Sequence, residues 1–251
     1  MTAPGAGSCG VALRLEKVRR VFNGRPVIEG MDLAIDPGEF LAVLGPSGCG
    51  KSTLLRMIAR LAPPDAGRII AAPERSQTAF VFQDAHLLPW RNVLDNAALP
   101  LELMGFGREE RQAKARSVLE QVGLSDALDR YPAQLSGGMR MRVSLARALV
   151  TEPRLMLMDE PFAALDEITR FHLEVQLRQL WQRRAMTVIF VTHSISEAAF
   201  LANRAVVLAR RGGRIRLDRR LELPMERSNE LRVDSRLGQE MKLLMAAMEE
   251  E

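Results

Sequence analysis

The stretch EFLAVLGPSGCGKSTLLRMIARL, residues 39–61, decides the fold of this 251-residue chain. FLAVL is a short unbroken apolar run, as a strand buried on both faces requires. STLLRMIARL carries its apolar residues at helical spacing. Between the two, GPSGCGKST fits the phosphate-loop pattern in full: Gly45, four residues (Pro46, Ser47, Gly48, Cys49), then Gly50, Lys51, Ser52 and Thr53. The glycines let backbone N–H groups turn inward around phosphate oxygens, and the start of the following helix adds positive partial charge. Lys51 supplies a mobile point charge for β and γ phosphates, and the Ser52 hydroxyl is a ligand for Mg2+.

A phosphate loop needs carboxylate partners, and RLMLMDE, residues 154–160, supplies them. Four apolar residues drive a strand into the sheet. Asp159 then emerges at its C-terminal end, where open α/β sheets bind ligands. Asp159 reaches the metal through water, and Glu160 is the natural base to polarise an attacking water. Paired acids at a strand end also serve as mere helix-start decoration. A second apolar strand, VIFVTH, ends in His193. That strand should finish on the same rim as Asp159, which places His193 near a γ-phosphate. Ser194 followed three residues later by Glu197 reads as a capping box. His86 in a loop and His172 in a helix are expected to be structural.

The rest of the chain alternates strands and helices, which implies a parallel sheet with helices on both faces. VALRLEKVRRVF and PVIEGMDLAI alternate apolar and polar residues like half-buried strands, with NGR as their turn. RII and TAFVF read as further strands. From about Asp84 to Leu135 the composition changes to that of a helical insertion, with VLDNAALPLELMG and REERQAKARSVLEQVGL as helices. The alternation resumes through the helix EITRFHLEVQLRQLWQRR. Near the end, RRGGRI reads as a turn between strands. GQEMKLLMAAMEEE places Met241, Leu244, Met245 and Met248 on one helical face, expected to pack against the chain's own body.

Composition narrows the class. Hydrophobic residues make up 47% and charged residues 26%, enough for a core under an ordinary solvated surface. No apolar run reaches the ~18 residues of a membrane span. The leader-like MTAPGAGSCG lacks a basic or apolar region and reads as a short flexible lead, not a signal peptide. Cys9 and Cys49 form no disulfide framework or metal spacing, so both are expected as reduced thiols. The net charge of +4 comes mostly from arginine. Acidic residues nearly balance it, and no aromatic platform is interleaved, so no nucleic-acid partner is expected.

Taken together, these residues resemble the ATP-binding subunits of ABC transporters over nearly the whole chain. GPSGCGKST stands as the Walker A loop, Gln83 in VFQ as the Q-loop glutamine and LSGGM as the signature. LMLMDE stands as Walker B, Ala164 to Asp166 as the D-loop and His193 as the switch histidine. Phe22 sits where an aromatic stacks on adenine. The resemblance implies a P-loop NTPase (RecA-like) core with an N-terminal antiparallel β subdomain and an inserted helical subdomain. Core pieces would span about 11–83 and 143–210, the helical subdomain about 84–142 and a C-terminal extension 211–251. It implies ATP and Mg2+, with Ser52, Gln83 and Asp159 on the metal. Glu160, His193 and Gln83 would serve catalysis. The Walker A residues, Phe22, Ser136, Gly137, Gly138 and Asp166 would hold ATP. Met139 replaces the glutamine that commonly ends the signature. Together with LLPWRNVLDNAALPLELMG, it is similar to the nitrate, sulfonate and taurine importer branch.

The implied partners are a second ATPase subunit, in a homodimer or a pair, and two membrane permease subunits. The permease would be gripped by the segment from Leu87 to Leu94 with Trp90, and a substrate-binding protein would act indirectly. The implied location is the cytoplasmic face of the inner membrane, peripheral through the permease. An exporter or lipid-trafficking ATPase, or a soluble ABC ATPase, is the alternative; a core aromatic is the alternative for Trp90. LSGGMRMR, residues 135–142, gives this pairing a physical reason. Ser136 can cap a helix beginning near Met139, and Gly137 and Gly138 let its backbone donors approach an anion. One chain then has two anion-binding helix starts for one terminal phosphate. Two chains resolve this, each lending its SGG to the other's ATP.

Overall fold

The computed structural model describes residues 10–70, 73 and 77–249. The lead with Cys9 lies outside them. The first two strands, β1 (Leu13–Phe22) and β2 (Arg25–Ile35), pair antiparallel. Asn23 and Gly24 turn the chain between them, both at positive φ, the geometry that Asn-Gly favours in two-residue hairpins. Strand β3 (Phe40–Leu44) is buried throughout and leads through the loop into helix α1 (Lys51–Ile58). Strand β4 (Ala66–Ile70) returns to pair antiparallel with β1, while β5 (Thr78–Val81) forms one edge of the sheet that contains β3.

Helices α2 (Val93–Leu103), α3 (Arg108–Gln121) and α4 (Gly137–Leu149) follow. The alternation then runs β6 (Leu155–Asp159), α5 (Glu167–Arg184), β7 (Thr187–Val191), α6 (Ile195–Leu201) and β8 (Arg204–Leu208). Strand β9 (Ile215–Arg220) and helix α7 (Ser235–Glu249) close the described chain. The six-stranded sheet has the order β5-β6-β7-β3-β8-β9, parallel except for β9. The antiparallel sheet has the order β2-β1-β4.

Alternation along the central strands makes two cores. Phe40, Ala42, Leu44, Met156, Met158, Val188 and Phe190 face the helices α2 to α7. Leu41, Val43, Leu155, Leu157, Ile189 and Val191 face α1 and the antiparallel sheet. Each buried Leu, Ile or Phe contributes ~1.5–3 kcal/mol, so both faces of β3 are committed and its register is fixed. That register delivers the loop at residue 45 to the C-terminal rim of the sheet.

Helix α4 runs unbroken across residues 142 and 143, so the helical segment and the core share one rigid rod. The last elements are fastened by buried arginines. Arg227 donates to the carbonyls of Ala199 and Phe200, and Arg178 to that of Leu201, satisfying the open end of α6. Arg219 grips Glu240 of α7 through two hydrogen bonds. Helix α7 does pack on the chain's own core, through fully buried Leu244 and partly buried Met241 and Met248. Met245, expected on that face, is instead 48% exposed. The buried seam runs through Leu237, Glu240 and Leu244, at a spacing that carries Met245 off the contact.

Candidate active site

The loop between β3 and α1 is built on backbone that only glycine adopts freely. Gly48 and Gly50 have φ of 82° and 105°. A Cβ at Gly50 would stand 2.9 Å from the Val27 carbonyl oxygen, whereas at Gly48 it would meet nothing within 4 Å. Gly50 is therefore required by packing on β2, and Gly48 leaves an open approach to the loop. Helix α1 has no side-chain cap at its start, so its first N–H groups are available to an anion. Lys51 is 5% exposed and donates from Nζ to the carbonyls of Gly45 (2.7 Å) and Pro46 (3.1 Å). Cys49 is buried and its thiol pushed up by burial.

Three strand ends meet this loop. Ser52 Oγ donates to Asp159 Oδ1 at 3.0 Å. Burial holds the Asp159 carboxyl above its ordinary range, the Ser52 hydrogen bond opposing and neighbouring Glu160 reinforcing it. Glu160 Oε1 stands 3.9 Å from Lys51 Nζ, and Glu160 Oε2 is 2.9 Å from His193 Nδ1. A cavity of about 480 Å3 opens over these groups, lined by Ser47, Gly48, Gly50, Lys51, Ser52, Thr53, Gln83, Asp159 and Glu160, with Val27 from β2. Glu160 begins no helix. Its φ of 46° is the left-handed region, held by its N–H on the Val191 carbonyl at 2.9 Å. Such a conformation costs a non-glycine residue ~1–2 kcal/mol and aims this carboxylate back over the loop.

Ser136, Gly137 and Gly138 sit elsewhere on the chain, at the start of α4. Ser136 Oγ accepts the Met139 N–H at 3.2 Å, as the sequence predicts. The helix begins at Gly137, two residues before the expected start. The two glycines differ. A Cβ at Gly138 would fall 2.4 Å from Thr169 Cγ2 on α5, while Gly137 is exposed and has 3.7 Å of clearance to Leu165. Only Gly137 is open to an outside ligand; Gly138 lets two helices approach. Met139 is partly buried against the core. Asp166 caps α5 by accepting the Thr169 N–H at 2.9 Å, and this backbone hydrogen bond lowers its carboxyl pKa.

The family model described as ABC transporter matches residues 28–163, more than half of the chain. The chain belongs to the ABC transporter family. The aliphatic sulfonates import ATP-binding protein of Cupriavidus pinatubonensis is 46% identical over 233 residues, covering 91% of this chain and 74% of that protein. The protein of the same description from Mycobacterium sp. (strain MCS) is 49% identical over 211 residues, 84% of each. Among solved structures, a dimeric ATP-binding cassette in a post-hydrolysis state with ADP and Pi is 31% identical. It covers 84% of this chain and all of that one, with a TM-score of 0.74. A dimeric bacterial ABC transporter cassette gives 30% identity and a TM-score of 0.75 over the same shares. The protein is an ABC-type ATPase.

As an ABC ATPase, the chain brings together Lys51, Ser52, Gln83, Asp159, Glu160 and His193. Phe22 stands apart from the cavity, 46% exposed at the end of β1 with the Arg20 guanidinium 4.7 Å over its ring. Trp90 is 71% exposed, which overturns a core role. Its loop is held by buried Asn96, whose amide nitrogen donates to the carbonyls of Leu88, Arg91 and Asn92 and whose oxygen accepts the Leu88 N–H. Phe80, Pro100, Leu103, Met104 and Arg147 line a neighbouring cavity of about 320 Å3. Arg147, which the sequence reading missed, donates to the carbonyls of Ala85 (2.6 Å) and His86 (2.8 Å). It ties the loop after Gln83 to the helix that Ser136 caps. No local sequence signal separates this arginine from Arg140 and Arg142 on the same helix.

Proposed function

We propose that this ABC ATPase energises an importer of a small solute, an anion such as nitrate, an aliphatic sulfonate or taurine. The named relatives support the sulfonate, and the exporter alternative has no comparable support. The observation that carries the hydrolytic half is the meeting of Glu160, His193 and Lys51 over a glycine loop. ATP would lie with its phosphates on residues 45–53 and its adenine toward Phe22. Lys51 would leave its carbonyl partners for phosphate oxygen. Glu160 would take a proton from the attacking water, whose oxygen bonds the γ phosphorus as the bond to the β-phosphate oxygen breaks. His193 would keep that carboxylate aimed.

Magnesium fits the residues present. Ser52 Oγ and Asp159 Oδ1 are 3.0 Å apart, and the Gln83 amide lines the same cavity. No group of three or more His, Cys, Asp or Glu able to hold a metal occurs among the described residues. This sparse hard-oxygen set suits an ion that draws its other ligands from phosphate and water. Bound there, magnesium would neutralise phosphate charge.

A second copy would complete the site with Ser136 and exposed Gly137, each chain capping the other's ATP, with Asp166 near the joint. Exposed Trp90 and the cavity between β5 and α2 suit the permease's cytoplasmic segment. The subunit would then sit at the cytoplasmic face of the inner membrane, peripheral through the permease; no described helix is long and apolar enough to cross a membrane. Residues 84–142 would form the permease-facing unit and 11–83 with 143–210 the core, the two joined through α4, with 211–251 as a C-terminal extension. The test is purification of the subunit from native membranes with its permease and binding protein, then calorimetry of that binding protein. Affinity for aliphatic sulfonates, taurine or nitrate is expected. A binding protein that takes none of these anions would refute the assignment.

A further inference from the structure

Beneath the His193 loop lies an ionic chain, buried at Glu197 and half-buried at Arg170, that the chemistry above leaves unused. Glu197, in the first turn of α6, is 4% exposed. Its Oε2 accepts a 2.6 Å hydrogen bond from Thr192 Oγ1, and the same Oγ1 accepts the Ser194 N–H at 3.0 Å. Its Oε1 stands 3.6 Å from Arg170 Nε. Arg170 donates in turn from Nη2 to the Leu165 carbonyl at 2.8 Å. Leu165 lies between exposed Ala164 and Asp166, and His193 lies between Thr192 and Ser194. One carboxylate therefore connects the backbone flanking His193 to the turn before α5.

Capping alone does not account for this arrangement. The expected capping box has only half its usual form: Ser194 Oγ accepts the Glu197 N–H at 3.3 Å, but the Ser194 N–H goes to Thr192 and the Glu197 carboxylate to the Thr192 hydroxyl. A carboxylate buried at a protein's core is costly without partners. Burial pushes the Glu197 carboxyl up, while Thr192, Arg170 and His193 draw it down. The His193 side chain is itself 59% exposed, so side-chain packing does little to fix its ring. The backbone on either side has to do so.

We propose that Thr192, Glu197 and Arg170 are positioning residues that hold His193 against Glu160 and tie that setting to the 164–166 turn. The inference rests on the roles given above to His193 and Glu160. A small displacement of the His193 backbone would lengthen the 2.9 Å contact with Glu160, and misplacement of order 1 Å costs up to about a hundredfold in rate. Asp166 and Ala164 face outward from the same turn, so an event on that surface would reach the histidine through one arginine and one glutamate.

The test is steady-state ATP turnover by the purified full-length subunit, with kcat and KM separated. Thr192→Val and Glu197→Gln should each lower kcat by about tenfold to a hundredfold and leave KM for ATP within about twofold. Thr192→Ser, which keeps the hydroxyl, should retain the parental kcat. In a His193→Ala background, Thr192→Val should add no further loss, because its effect passes through the histidine. The proposal is overturned if Thr192→Ser is as slow as Thr192→Val, if the losses multiply in the His193→Ala background, or if KM rises in step. A slow His193→Ala with a fast Thr192→Val overturns this inference alone. A His193→Ala at the parental rate overturns the reading of the site as well. If Glu197→Gln does not fold, the Thr192 pair decides.

Discussion

Nδ1 of His193 lies 2.9 Å from Oε2 of Glu160, joining the ends of adjacent strands β7 and β6. The other carboxylate oxygen, Oε1, faces Lys51 at 3.9 Å. Histidine and lysine thus divide the two oxygens, and the carboxylate is aimed by both. His193→Ala should lower kcat by about 10²–10⁴-fold, the range for a mispositioned proton acceptor, with KM for ATP little changed. Steady-state kinetics check this, and a fall in kcat/KM arising from KM alone would contradict it.

The two signature glycines should separate by experiment. Gly138→Ala places a Cβ 2.4 Å from Thr169 Cγ2, and overpacking of this kind costs ~1–3 kcal/mol. Gly137→Ala has clearance and should leave the unfolding midpoint nearly unchanged while impairing ATP-driven pairing. Denaturant unfolding and sizing in ATP test both. Equal destabilisation by the two substitutions would contradict the account.

Glu174 should make stability depend on pH. It is 1% exposed and 2.6 Å from Arg232 Nη2, yet burial outweighs that partner and pushes its carboxyl from 4.5 up to about 7. Unfolded, the group titrates near 4.5, so between 4.5 and about 7 the folded chain binds more protons. Its stabilising contribution is full below 4.5 and is lost as pH rises through about 7. Glu174→Gln carries no charge. Its stability relative to the parent should rise from pH 5 to pH 8 by an amount on the order of 3 kcal/mol. A difference constant with pH would contradict this.

The Trp90 loop separates docking from folding. Trp90→Ala removes an exposed ring and should change stability by less than about 0.5 kcal/mol, while weakening association with the permease by ~2 kcal/mol or more. Asn96→Ala breaks the hydrogen bonds that shape the loop and should cost ~2–4 kcal/mol of stability. Unfolding curves and co-purification yield measure the two effects.

The sequence made the loop, the sheet and the strand-end acids legible because each obeys a local rule. FLAVL is apolar on both faces, glycines occupy the positive-φ positions of the loop, Asp159 directly follows one apolar run and His193 follows another with only Thr192 between. What stayed hidden depends on contacts distant in sequence. Gly138 is small because of Thr169, which no spacing within LSGGM reveals. The left-handed turn at Glu160 is fixed by the Val191 carbonyl, a partner 31 positions away. Met245 shares a helical face with buried Leu244 only if the seam is centred differently, and the seam's centre is set by Glu240 meeting Arg219. The reach of Arg147 to Ala85 and His86 depends on how α4 lies on the sheet.

The central claim is that two copies share each ATP, with Glu160 as the base that ends the shared state. Glu160→Gln keeps a hydrogen-bonding partner for His193 but cannot take the proton of water. Light scattering of this variant in saturating ATP and Mg2+ tests the claim most directly. The account predicts a particle of twice the 28.0 kDa chain mass, which reverts to single chains when nucleotide is removed. A particle that remains a single chain in saturating ATP, with nucleotide bound, would contradict it.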